Sequence, residues 1–310
     1  VTQQELLRPP ALQAGDVIAI AATSRPVTHT ELVPAIGLWQ AAGYTVRLAD
    51  NVDKKWSVFA GDIPTRVDAL QQLLDDPQVR AIHFARGGYG AHQLLSHLDW
   101  TGFLAHPKWL IGFSDITLLL NKVLSLGFLC VHGQMASGFS LKQSSPAFEQ
   151  LLSLLECKSD HSGQSLELLY SPSEALAQLQ GVLLGGNLSL LQTTLGTGLQ
   201  PTVKGGILLI EEVSEYLYAF ERTLYHLEMS GILHNCSAIV CGGLHAMQDN
   251  PDRFHATSRE IIVQCAKRVQ TPLFYSDQYG HGGICEPLML GARTSLKPTT
   301  DGKWTMQNMY

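Results

Sequence analysis

The stretch "KWLIGFSDITLLL", residues 108–120, decides the fold class. Trp109, Leu110 and Ile111 form a short apolar run, as in a strand buried on both faces. Ile116, Leu118, Leu119 and Leu120 fall into an apolar helical pattern. A buried strand that feeds straight into a helix belongs to a parallel sheet, because parallel neighbours need a helical crossover. The junction holds Gly112, Ser114 and Asp115, and Ser114 has two readings there. Ser and Asp are good N-caps, and on this stretch alone a cap is the simpler account. The other account is a nucleophile on a sharp strand-to-helix turn, with helix N–H groups aimed at the reacting centre.

Outward from this stretch the same alternation continues. Toward the N-terminus, strands are expected at 16–24, 45–50 and 79–85, with helices at 29–43, 65–76 and 91–99. On the other side "GFLCVHG" (127–133) reads as a further strand. The polar segment 156–175 breaks the rhythm and reads as a linker or domain crossing. Beyond it, apolar runs at 205–215, 238–245 and 272–277 read as strands, and 218–231 and 257–269 as helices. The boundaries expected are a domain over 1–160 and a second over 175–310.

Composition narrows the function classes. A chain of 310 residues that is 45% hydrophobic and 15% charged has ample core for a globular protein. A net charge of −6 argues against nucleic-acid or anionic-membrane partners, which require a basic surface. No apolar run is long enough to span a bilayer. The N-terminus carries no signal-peptide pattern, and the six scattered cysteines, several in apolar settings, favour reduced thiols. A cytoplasmic protein is the simplest expectation. A periplasmic one is the alternative if a preceding segment held a signal.

Parallel sheets bind ligands beyond the carboxyl ends of their strands. Four features stand at such ends: Arg86-Gly87-Gly88-Tyr89-Gly90, Ser114-Asp115, Glu211-Glu212 and Gly280-His281-Gly282-Gly283. Together they supply a serine, a carboxylate, a histidine and a glycine-rich backbone, the parts that acyl transfer needs. Each also has a plainer reading: a cap, solvated charges, a loop histidine and a turn. The glycine loop is neither a dinucleotide fingerprint nor a P-loop. Cys236, Cys241 and His245 lack standard metal-ligand spacing, so no metal is expected.

Taken together, "AGDVIAIAATSRPV", "FAGDIPTRVDALQQLLDDPQVRAIHFARGGYGAHQLL", "IGFSDITLLL", "LLGGNLSLLQTTLGT", "GILLIEEVSEYLYAFERTLYHLEMSGIL" and "YGHGGICEPLMLGA" resemble, in order, the LD-carboxypeptidase family of serine peptidases. The resemblance covers nearly the full length. It implies a flavodoxin-like, parallel-sheet N-terminal domain and a smaller β-rich α/β C-terminal domain. It implies Ser114 as nucleophile, His281 as base and Glu211 as the residue that orients the histidine. The separations, 211 − 114 = 97 and 281 − 211 = 70, spread these residues over both halves, which implies a site between the domains. Glu212 and Glu215 compete with Glu211 for the third role. The backbone N–H groups of Gly88 and Asp115 are the expected oxyanion donors. Arg86 and Asn187 are candidate substrate contacts. For Arg86 the plainer reading is an ion pair with Asp62 or Asp68, and for Asn187 a helix cap.

By the same resemblance the substrate is a murein tetrapeptide that loses its terminal D-Ala, the protein is a homodimer, and no metal or organic cofactor is used. Microcin-immunity hydrolases, which cut a peptidyl-nucleotide amide, are the alternative within the superfamily. A non-catalytic binding module is the alternative outside it. The loop Gly282–Leu288, "GGICEPL", departs from the family's pattern.

Overall fold

The computed structural model describes residues 5–140, 145–158, 164–174 and 176–309. The chain divides into two compact units, Val1–Ser159 with Glu286–Leu288, and Asp160–Cys285 with Met289–Tyr310.

The first unit alternates β1 (Val17–Ala21), α1 (His29–Ala41), β2 (Thr45–Leu48), α2 (Ile63–Asp75), β3 (Val79–Phe84), the short α3 (His92–Leu95) and α4 (Thr101–Ala105), β4 (Trp109–Gly112), α5 (Thr117–Ser125), β5 (Cys130–His132) and α6 (Ser145–Leu155). The five strands pair in parallel in the order 5-4-3-1-2. That is the flavodoxin-like order, whose ligand crevice opens where the strand order reverses, between the loops after β1 and β3. The expected helix over 91–99 is cut to His92–Leu95. The Asp99 carboxylate takes the N–H and hydroxyl of Thr101, turning the chain into α4 instead. Lys108, at the head of the quoted stretch, is buried. Its Nζ donates to the carbonyls of Leu73, Leu74 and Asp76, closing the C-terminus of α2. Burial lowers its pKa to about 8.

The second unit is a closed barrel. Its elements are β6 (Gln164–Tyr170), β7 (Leu179–Asn187), α7 (Leu188–Thr194), β8 (Ile207–Val213), α8 (Leu217–Met229), α9 (Ile232–Asn235), β9 (Ala238–His245), α10 (Ser258–Val269), β10 (Leu273–Tyr275), β11 (Leu288–Leu290), β12 (Arg293–Pro298) and β13 (Trp304–Asn308). The barrel order is β10-β6-β13-β12-β7-β8-β9. Three parallel pairs, β7–β8, β8–β9 and β9–β10, adjoin antiparallel pairs through β6, β13 and β12. Closure leaves the sheet no edge. The polar segment 156–175 is therefore not a linker throughout, because Gln164–Tyr170 is a barrel strand. All six cysteines are free thiols, five of them buried. No helix among the described residues is long and apolar enough to cross a membrane.

Candidate active site

Ser114 follows β4 in the first unit with φ +57°. A left-handed backbone at a residue with a Cβ costs about 1 kcal/mol and needs support from its surroundings. The helical turn Ser114–Ile116 and α5 come directly after it, and no side chain caps that turn. The cap reading of Ser114 is thus excluded: its hydroxyl makes no capping bond, and its conformation is that of a strained elbow.

The support comes from the loops after β1 and β3. The buried Asp115 carboxylate accepts from the Ser24 hydroxyl at 2.5 Å and from the Ala91 N–H at 2.9 Å, tying both loops to the serine turn. Arg66 works alongside it from α2. Its guanidinium, fully buried, donates to the carbonyls of Gly61, Thr23 and Gly90 and to the Gln93 amide. Burial pushes the Arg66 pKa down, and Asp115, the leading opposing charge, pulls it back up. Neither Ser24 nor Arg66 was anticipated from the sequence. Gly87 lies against Ser114: a Cβ there would come 3.1 Å from Ser114 Oγ. The N–H groups of Gly88 and Asp115 have no hydrogen-bond acceptor among the described residues.

Arg86 stands at the end of β3, and its guanidinium pairs with Glu31 on α1. The partner is neither Asp62 nor Asp68, and Asp62 instead caps α2 through Thr65. Hydrogen bonds from the backbone and then the side chain of Thr28 hold Glu31 below the usual carboxylate range, with Arg86 adding to them.

In the second unit Glu211 and His281 meet. Glu211 Oε2 lies 2.6 Å from His281 Nδ1, and the carboxylate is fully buried while the imidazole is partly exposed. A carboxylate can only accept, so Nδ1–H donates and Nε2 is left as the basic nitrogen. The backbone is arranged for this contact. The pairing of β8 with β9 shifts register between Ile210 and Glu212, with the extra residue on β9, opposite Glu211. The His281 loop lies tightly on β9, where Gly243 N–H donates to the Tyr279 carbonyl at 2.8 Å. Gly280, at φ +94°, passes so near the acid that a Cβ would be 2.6 Å from Glu211 Cγ. Cys285, in the atypical loop, accepts the Gly280 N–H through Sγ at 3.2 Å. A polar pocket of about 330 Å³ opens beside His281, walled by His245, Tyr275, Asp277 and Gln278.

Successive strand residues face opposite ways, and this separates the two acids. Glu212 accepts from the Asn187 amide and from the N–H and hydroxyl of Ser189. Burial raises its pKa. The Glu215 carboxylate accepts the adjacent Tyr216 N–H. Asn187 also caps α7 by accepting the Leu190 N–H, so its side chain is engaged on both ends within the unit. Among the described residues, no three His, Cys, Asp or Glu side chains converge on a possible metal position.

Residues 18–133 match the LD-carboxypeptidase N-terminal domain and residues 180–296 its C-terminal domain. The murein tetrapeptide carboxypeptidase of Pseudomonas aeruginosa is 33% identical over 86% of this chain and 88% of its own. A solved muramoyltetrapeptide carboxypeptidase from Oxalobacter formigenes superposes with a TM-score of 0.79 at 26% identity, covering 94% of this chain and 97% of that one. The microcin C7 self-immunity protein MccF, in complex with aspartyl sulfamoyl adenosine, shares the fold, with a TM-score of 0.82 at 20% identity over 98% and 99% of the two chains. With both domains matched in order and a close relative spanning most of its length, the chain belongs to the LD-carboxypeptidase family.

Proposed function

We propose that this protein is a serine-type L,D-carboxypeptidase that releases the terminal D-Ala from murein tetrapeptides. The observation that carries the reading is the left-handed Ser114, an unfavourable backbone held by a buried lattice of polar contacts. Strain of that kind persists where it serves the chemistry. The Glu211–His281 pair supplies the matching base. The murein relatives supply the substrate class.

In this mechanism His281 Nε2 takes the Ser114 proton as Oγ attacks the amide carbonyl. Glu211 holds the Nδ1–H tautomer and stabilises the imidazolium that forms. The Gly88 and Asp115 N–H groups receive the developing oxyanion. His281 then protonates the leaving D-Ala amine, and water repeats the sequence on the acyl-enzyme. The reading requires the imidazole of the second unit to meet the serine of the first in the working enzyme. Six free thiols suit a reducing compartment, so we place the enzyme in the cytoplasm, and as a homodimer in keeping with the family. The test is incubation with a tetrapeptide muropeptide. Loss of one alanine by mass, absent with Ser114→Ala, supports the reading, and an unchanged peptide overturns it.

A further inference from the structure

An exopeptidase acting on a free C-terminus needs a cation where that carboxylate sits, and besides the buried Arg66, already committed to the carbonyls of Gly61, Thr23 and Gly90, the first unit has Arg25 and Arg86 on the loops beside its serine. Arg86 is already answered by Glu31. Arg25 is different. It follows β1, is exposed, and its guanidinium has no partner among the described residues. Its backbone N–H donates to the Gly87 carbonyl at 3.4 Å. Its side chain lies along Gly88, where a Cβ would come 2.7 Å from Arg25 Cγ and 2.9 Å from Nε. The adjoining Gly87 is the residue that abuts Ser114 Oγ. The nucleophile and the unpaired guanidinium thus flank neighbouring residues of one loop, at the β1–β3 crevice where this sheet order places ligands.

Resting on the carboxypeptidase reading above, we propose that Arg25 is the specificity-determining residue that receives the free C-terminal carboxylate of the substrate. The spacing suits it. A terminal carboxylate lies one residue, about 3.8 Å, beyond the scissile carbonyl. An attack distance of about 3 Å and a hydrogen bond of about 2.8 Å at either end bring the span to roughly 10 Å. Ser114 and Arg25 each stand against one of two adjacent residues of this loop, and a planar fork matches a carboxylate bidentately.

The experiment compares kcat and KM for wild type, Arg25→Ala, Arg25→Lys and Arg86→Ala on a tetrapeptide ending in D-Ala and on the same peptide with its C-terminus amidated. Wild type should prefer the free acid. Arg25→Ala should lose about 10²-fold in kcat/KM on the acid, mainly through KM, and little on the amide, so that the acid-over-amide preference collapses. Arg25→Lys should restore part of it. An Arg25→Ala enzyme that keeps the preference, or an Arg86→Ala enzyme that alone loses it, overturns the assignment and leaves the carboxypeptidase reading standing. A wild type that cleaves the last peptide bond of neither peptide overturns both.

Discussion

His281 Nδ1 stands 2.6 Å from Glu211 Oε2, joining a loop to a strand 70 residues earlier, while the adjacent Glu212 turns the other way to Asn187 and Ser189. The two acids therefore differ in their partners although they differ by one position. Glu211→Gln should lower kcat by about 10³-fold or more, since an amide can stabilise the wrong tautomer. Glu212→Gln should keep most of the activity at low temperature and lose thermal stability, because it disturbs a buried network. Steady-state kinetics and thermal melts on the two variants check this, and an inactive Glu212→Gln beside an active Glu211→Gln would reverse the assignment.

Gly280 tests how closely the acid must be held. Gly280→Ala forces a Cβ to within 2.6 Å of Glu211 Cγ at a φ of +94°, whereas Gly302→Ala meets a similar φ of +80° with nothing within 4 Å. Both should lose on the order of 1 kcal/mol from the backbone conformation. The first alone should also lose about 10²-fold in kcat/KM through the displaced carboxylate. Equal activity in the two variants would mean that the carboxylate position is not critical.

Ser114 offers a test of stored strain. At φ +57°, replacing it with glycine removes the penalty that alanine retains. Ser114→Gly should melt higher than Ser114→Ala by about 2–4 °C, the equivalent of roughly 1 kcal/mol in a unit of this size. Both should be inactive by a factor of about 10⁴ or more, and adding His281→Ala to Ser114→Ala should cost little further, since the groups act as a unit.

Much of this was legible in the sequence, because the first unit is built from continuous apolar strands with helices between them. The stretch from Trp109 to Leu120 announces both the parallel sheet and its turn. The barrel was less visible for a physical reason. In β6, "QSLELLY", only Leu166 is buried, so a barrel strand there looks like polar linker. Which of Glu211 and Glu212 faces His281 depends on which side of β8 the distant His281 loop lies, and no local pattern encodes that. Arg66 and Asp115 belong to the same class. Their partners lie 43 and 91 residues away in sequence at Thr23 and Ser24, and charged side chains of this type read as surface until a fold encloses them. Arg86 was legible as a charged residue at a strand end, but its partner on α1 was not.

His83 gives the first unit an acid-sensitive group. Its Nδ1 accepts from Trp39 Nε1–H at 3.1 Å, and its Nε2–H donates to the Gln134 carbonyl at 2.9 Å. Complete burial lowers its pKa from 6.5 to about 4. The folded state thus keeps it neutral while the unfolded chain takes up a proton, so stability falls as pH drops from about 6.5 toward about 4 and levels off below. The loss between pH 7.5 and pH 5 is about 2 kcal/mol from this group. His83→Gln, which keeps an acceptor for Trp39 and a donor for Gln134, should show a smaller difference in denaturation midpoint between those pH values. An unchanged difference would show that other groups carry the acid sensitivity.

The stereochemistry of the released residue bears most directly on the proposed activity. With the terminal carboxylate held and one face of the carbonyl presented to Ser114, exchanging D-Ala for L-Ala swaps methyl and hydrogen at the last α-carbon. A clash or a lost charge-assisted bond then costs several kcal/mol, on the order of 10³-fold in kcat/KM. The decisive measurement is kcat/KM on murein tetrapeptides that differ only in a terminal D-Ala or L-Ala. A D-over-L preference of about 10³-fold that vanishes with Ser114→Ala is the result expected. Near-equal values, or undiminished cleavage by Ser114→Ala, would contradict a serine L,D-carboxypeptidase.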